Sequence, residues 1–259
     1  MPLNLPEPMR DRLPRAQLDL VVCQVRHERN FASIDPKRAL SVHSTLASRY
    51  PSIEDMSAQE IGFVVSGPTG VGPVSSETSR GWRFRSPDEK WIVVIMPDFF
   101  SLETTEYSTW EEFKERLTEL TAAIHDQLSP SIETRLGLRY IDRLTKPHAE
   151  SARDWAPFID PSLIGPILHP TLGDSLTQLQ QVVRLDTDDG RQVILRHGCS
   201  TEDGGGWTYL LDYDCSTARS QPFEAEAVLT GIEDLHTIAL QVFQASVTPA
   251  LMAYLREEV

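Results

Sequence analysis

The chain has 259 residues, 40% of them hydrophobic and 24% charged, with a formal net charge of −14. That composition suits a globular protein with a real core, built as one large domain or as two of about 130 residues. Both sides of residue 129 are acidic, with 14 basic against 19 acidic residues before the cut and 10 against 19 after it. A general nucleic-acid surface, which needs an excess of Lys and Arg, is therefore not expected.

Three cysteines, Cys23, Cys199 and Cys215, show no CxxC spacing, which supports neither a disulfide framework nor a zinc site. No run of about 18 apolar residues is present to span a membrane. The opening M-P-L-N-L-P-E-P-M-R-D-R has prolines and acids where a signal peptide needs an apolar stretch. A reducing cytoplasm is the expected location.

Residues 1–15 read as an extended, proline-rich arm. Leu18 to Arg26 (L-D-L-V-V-C-Q-V-R) is an apolar strand. Asp35-Pro36 opens a helix, with Asp as N-cap and Pro at its first position, and Pro51 closes it after Tyr50. Residues 61–66 read as a strand, and 67–79 (G-P-T-G-V-G-P-V-S-S-E-T-S) as a loop. A hairpin then turns at Pro87-Asp88-Glu89, and F-F-S-L-E-T-T-E-Y forms a further strand. From Trp110 to Leu128 runs the clearest helix. Thr109 and Glu112 fit a capping box, and Trp110, Phe113, Leu117, Leu120, Ile124 and Leu128 form one apolar stripe.

The second half repeats this order. A strand over 135–144 leads to Ile159-Asp160-Pro161, which echoes Ile34-Asp35-Pro36. A short helical turn follows, then three strands ending in W-T-Y-L-L-D-Y-D, a long helix from about Glu224, and a break at Thr248-Pro249. Trp91 and Asp98 are spaced as Trp207 and Asp214 are. The pattern predicts a tandem duplication, with 16–129 and 130–259 as the two halves of one compact α+β domain. The unit is strand–helix–antiparallel strands–helix. Two units would join into one curved antiparallel sheet with the long helices on one face, resembling the TATA-box-binding protein or a helix-grip fold in element order alone.

The segments P-L-N-L-P-E-P, V-V-C-Q-V-R (21–26), W-R-F-R-S-P-D (82–88), Y-S-T-W-E-E-F (107–113), L-R-Y-I-D-R (138–143) and L-D-Y-D (211–214) together resemble one family. It is a sporadically distributed, uncharacterised bacterial family of about this length. The resemblance implies an accessory role, for instance in a defence island, a toxin–antitoxin module or a biosynthetic cluster. It carries over no catalytic residues and no cofactor.

The candidate site residues lie on strands. In R-L-G-L-R-Y-I-D-R-L, alternation puts Leu136, Leu138, Tyr140 and Asp142 on one face and Arg135, Gly137, Arg139, Ile141 and Arg143 on the other. Arg135, Arg139 and Arg143 would span about 26 Å, suiting an extended anionic ligand or an acidic peptide. Alternatively, they pair with carboxylates on neighbouring strands, Asp212 and Asp214 or Asp186 and Asp188, as a structural ladder. Asp186, Asp188, Asp212 and Asp214 could instead hold Mg²⁺ or Ca²⁺ or act as acid and base. Trp82, Phe84 and Trp207 could line a cavity, and His236 borders the apolar stripe of the last long helix. His197 and Cys199 share a strand face, which gives a nucleophile pair proximity and nothing more. G-P-T-G-V-G-P lacks the Lys-Ser/Thr of a phosphate loop.

The expected function is therefore a non-enzymatic binding protein that takes a protein or peptide partner on its sheet face and needs no cofactor. One alternative is a helix-grip protein with a small ligand in an internal pocket. Another is a metal-dependent enzyme built on the aspartates. The chain does not specify its oligomeric state.

Overall fold

A computed structural model describes residues 5–29, 34–65, 71–145, 149–187, 190–201 and 206–257. Its strands are β1 (Leu18–His27), β2 (Ser52–Val65), β3 (Val71–Arg85), β4 (Trp91–Met96), β5 (Phe99–Thr104), β6 (Ile132–Leu144), β7 (Gln181–Asp186), β8 (Arg191–Thr201), β9 (Trp207–Thr217) and β10 (Gln221–Pro222). Its helices are α1 (Pro36–Leu46), α2 (Trp110–Leu128), α3 (Gly165–Leu168), α4 (Ala225–Ser246) and α5 (Pro249–Leu255). The strands form one ten-stranded antiparallel sheet in the order β2-β3-β4-β5-β1-β6-β9-β8-β7, with β10 also against β6. The fold is α+β.

The two halves of the chain meet along β1 and β6. Val21, Cys23 and Val25 stand opposite Tyr140, Leu138 and Leu136. Directly opposed residues share a face, so this register carries one apolar face across the whole sheet. Phe100 and Leu102 of β5 continue it on one side, and Tyr213 and Cys215 of β9, then Leu195 and Val193 of β8, on the other. The long helices cover that face. From α2 it receives Phe113, Leu117, Leu120, Ile124 and Leu128, and from α4 Val228, Ile232, Leu235, Ala239 and Val242.

Local signals place the helix ends. Asp35 accepts from the Arg38 N–H with Pro36 behind it, and Thr109 accepts from the Glu112 N–H. The second half of the Thr109 capping box is not made. Glu112 instead accepts from the Ser108 hydroxyl and the Arg116 guanidinium. Ser129 closes α2 in a left-handed conformation, φ 47°. Thr248 caps α5 ahead of Pro249.

Two expectations are corrected. Residues 71–79, read as loop, belong to β3, which pairs with β2 residue by residue from Ser52↔Arg85 to Val65↔Val71. Ladder hydrogen bonds between chain neighbours override a Gly- and Ser-rich composition there; 66–70 lie outside the described residues. The matching of Trp91 with Trp207 also fails at the level of the sheet. Trp207 opens β9, next to β6, whereas the strand next to β1 is β5 and Trp91 sits one strand further out, on β4.

Residues 5–17 carry neither helix nor strand and run back over α4 and α5. The Met9 N–H donates to Gln244 Oε1 (3.0 Å), and Gln244 Nε2 donates to the Met9 carbonyl (2.7 Å). Gln241 reaches the Pro6 carbonyl (3.1 Å), and the Arg15 N–H reaches the Leu255 carbonyl (3.0 Å).

On α4, Gly231 faces β6 so closely that a Cβ there would come within 2.5 Å of Leu136 Cδ1. Glycine in a helix interior costs about 1 kcal/mol relative to alanine, a cost offset by the close seating of α4 on the seam. Gly231→Leu should overpack this contact and lower stability by about 1–3 kcal/mol. A urea-unfolding midpoint equal to that of the parent would show that α4 does not sit this close.

Candidate functional site

The face of the sheet away from the helices carries the arginine row, because the β6 register sends its odd-numbered positions there. Arg139 binds Asp212 with both ends of its guanidinium (Nε and Nη2, each 2.7 Å). Arg135 donates to Asp214 (3.2 Å), and Arg143 to Asp19 on β1 (2.6 Å). Directly opposite Arg139 in the register is Asp214, not Asp212, so the Arg139–Asp212 pair runs diagonally by two residues along β9 and the Arg135–Asp214 pair by four. Gly137 makes the diagonal possible: a Cβ at that position would meet Arg135 Nη1 at 2.4 Å. Asp212 has a side chain only 5% exposed and also lies 3.6 Å from Arg196. The row is thus an Arg–Asp ladder, completed at one end by an aspartate of the first half.

The ladder accounts for most of the carboxylates proposed as a metal cluster. Asp212 and Asp214 are neutralised by arginines. Asp186 accepts from Gln192 (2.6 Å) on the outer pair β7–β8. From the register, Asp186 is roughly 12 Å or more from either of them, and Asp188 lies outside the described residues. Among the described residues no three His, Cys, Asp or Glu side chains come close enough to hold a metal ion.

Trp82, Phe84 and Trp207 do not come together either. Phe84 is fully buried against His43 of α1 (ring centroids 5.0 Å), and the Trp82 indole donates to the Ile34 carbonyl (2.9 Å). Trp207 lies five strand steps from β3, about 24 Å. His197 Nδ1 is engaged with the Tyr209 hydroxyl (2.8 Å), and burial pushes the Cys199 thiol up to about 11, so this pair offers no thiolate at neutral pH.

On the opposite, helix-covered face the structure builds a site that the sequence reading left as scaffold. Tyr140 and Asp142 follow Leu136 and Leu138 into the core and are each 4% exposed. The Tyr213 hydroxyl donates to Asp142 Oδ2 (2.8 Å), and the Tyr140 hydroxyl meets His236 Nδ1 (2.8 Å). His236 stacks on Trp110 (centroids 3.9 Å, planes 6° apart). The Trp110 indole in turn donates to Glu233 (2.9 Å), which Lys114 also holds (2.8 Å). Tyr107 closes the ring edge-on to Tyr140 (5.9 Å).

Tyr107, Trp110, Tyr140, Asp142, Tyr213 and His236 line a cavity of about 440 Å³ between the sheet and α2, α4 and α5. Leu18, Ala239, Leu240, Phe243, Met252 and Leu255 supply apolar walls, and the arm from Met9 to Ala16 lies over it. Alternation along β6 places Tyr140 and Asp142 on the leucine face, and helical periodicity places Trp110 on the apolar stripe of α2 and His236 beside that of α4, but nothing in the sequence brings them together. The missed signal was Asp142, a carboxylate in the leucine row of an otherwise apolar strand face.

Burial sets the protonation of the site. It pushes the Asp142 carboxyl up to about 7, opposed by the Tyr213 hydroxyl and reinforced by the Asp19 charge. It pushes His236 down to about 4, against the pull of Glu233, and it raises the Tyr140 and Tyr213 phenols well above their ordinary value. At neutral pH the imidazole is uncharged and the carboxyl is close to half-protonated.

No protein-family model matches the chain, and no curated protein matches it. No helix among the described residues is long and apolar enough to cross a membrane.

Two tests follow from these geometries. Arg139→Met leaves the Asp212 carboxylate buried with only the more distant Arg196, and should cost about 2 kcal/mol. Adding Asp212→Leu removes the stranded charge and should recover at least half of that loss; a double variant no more stable than the single one would show that the ladder does not act as a unit.

The second test is pH. Asp142 favours folding when protonated, a contribution complete below about pH 4 and lost as pH rises to 7. The neutral imidazole of His236 contributes above about pH 6.5, and this is lost as pH falls to 4. Between 4 and 6.5 the two slopes oppose each other. Asp142→Asn should therefore give a stability curve that rises with pH relative to the parent, by up to roughly 3 kcal/mol across that window. Urea titrations at pH 4.5, 5.5 and 6.5 that run parallel for the two proteins would contradict the assignment.

Proposed function

We propose that the protein binds a small ligand in the cavity between its sheet and helices, as a binding protein and not a catalyst. The observation that carries this reading is the cavity itself. Protein interiors are packed nearly as densely as organic crystals and leave few voids. A chamber of about 440 Å³ that combines apolar walls with buried and rim polar groups has the size and lining of a ligand pocket. Among the expectations from sequence, this favours the helix-grip alternative over a partner on the sheet face.

A second reading, a protein or peptide partner on the other face, rests on one observation. The Arg–Asp ladder shares that surface with Ile92 and Ile194, in the register row of Arg139, and with Ile141 two residues along β6. We also propose that the two halves descend from one duplicated unit with a TATA-binding-protein-like arrangement. Supporting this, each half opens with a seam strand and contributes a long helix to the same face. The resemblance to the sporadically distributed bacterial family fits an accessory role for such a binder.

The pocket reading is tested with the neutral fluorescent probe N-phenyl-1-naphthylamine. Saturable binding with one site per chain is expected. Ala239→Phe, which fills the chamber from α4, should weaken binding at least tenfold while circular dichroism and the melting transition persist. Equal binding by a folded Ala239→Phe variant would exclude the chamber as the site.

A further inference from the structure

We propose that the natural occupant of this cavity carries an ammonium group and seats it on Asp142; the proposal rests on the pocket reading above. Two aspartates of the sheet are equally buried, Asp142 and Asp212, each 4% exposed. Asp212 has two arginines on it. Asp142 has none: its one side-chain hydrogen bond among the described residues comes from the Tyr213 hydroxyl at Oδ2. Buried carboxylates are ordinarily paired with a cation, because an unpaired charge in a dry interior is costly. Asp142 faces a chamber large enough to admit one.

The surroundings favour a cation at Asp142: the two arginines that line the chamber, Arg10 and Arg12, belong to the arm over it and form no ion pair with Asp142 among the described residues. Tyr107, Tyr140, Tyr213 and Trp110 line the same chamber, and aromatic rings attract ammonium ions through their quadrupoles. Besides Asp142 the chamber is lined by the charged side chains of Arg10, Asp11 and Arg12 on the arm and Glu111 on α2, with Asp11 held by Arg256. Asp19 on the neighbouring strand adds negative charge, His236 on α4 is uncharged at neutral pH with Nδ1 taken by Tyr140, and Arg10 of the arm is engaged with Thr237 and Glu233. Leu18, Ala239, Leu240, Phe243, Met252 and Leu255 give the chamber apolar walls beside its polar rim, so the occupant joins an apolar body to a cationic end.

The step is a proton exchange. A carboxyl that is partly protonated at neutral pH gives up its proton to solvent as the ammonium arrives, leaving a carboxylate–ammonium pair. Binding should therefore release a fraction of a proton, more at pH 6 than at pH 8, and should tighten as pH rises through 7.

The experiment compares three probes of one shape by isothermal titration calorimetry: 2-phenylethylamine, 2-phenylethanol and 3-phenylpropionate. The amine is expected to bind at least tenfold more tightly than the alcohol, and the acid least. In Asp142→Asn the amine should fall to the level of the alcohol while the alcohol is unchanged. Should that variant not fold, the parent alone decides, through proton release measured in two buffers of different ionisation enthalpy. If the alcohol or the acid binds as tightly as the amine, the ammonium inference is overturned and the pocket stands. If none of the three binds, the pocket reading fails and the inference falls with it.

Discussion

Everything in this molecule depends on the register of one antiparallel pair, β1 against β6. Side chains on a strand alternate with a period of two, so a slip of one residue would exchange the faces of the second half relative to the first. Arg135, Arg139 and Arg143 would then point under the helices, and Leu136, Leu138 and Tyr140 toward the open side. The observed register sets Val21, Cys23 and Val25 beside Tyr140, Leu138 and Leu136, and the core of both halves becomes continuous. The β1–β6 pair thereby fixes both the ladder on one face and the cavity on the other.

The two faces solve one problem in opposite ways. A sheet that buries aspartates must compensate them or keep them neutral. On the open face Asp212 is compensated by guanidinium groups. On the covered face Asp142 has a phenol for company and a raised carboxyl, as a group kept close to neutral should. The same residue type is structural in one place and chemically poised in the other. The difference lies in which face of the strand it occupies.

Much of the fold was readable because its signals are local. Asp35-Pro36, Thr109 with Glu112, and Thr248-Pro249 each mark a helix start within a few residues. The two-residue alternation of β6 separated leucines from arginines correctly. The long β2–β3 ladder was not readable, because its pairing overrides a composition that speaks for loop. The cavity escaped for a different reason. Trp110, Asp142, Tyr213 and His236 come from four elements, and only the folded topology makes them neighbours. Their one trace in the sequence is an acid among leucines, which alternation exposes only when the question is put to the apolar face. The grouping of Trp82, Phe84 and Trp207 failed because shared residue type says nothing about position across a wide sheet.

The arm over the cavity has a consequence for how the molecule is assembled. Its contacts join Met9 to Gln244 and Arg15 to Leu255, across nearly the whole length of the chain. Contacts of such sequence separation carry the largest loop-closure cost and belong to the slow end of folding. Residues 5–17 can therefore settle over the chamber only once α4 and α5 are in place. Until then the aromatic floor of the cavity is open to water.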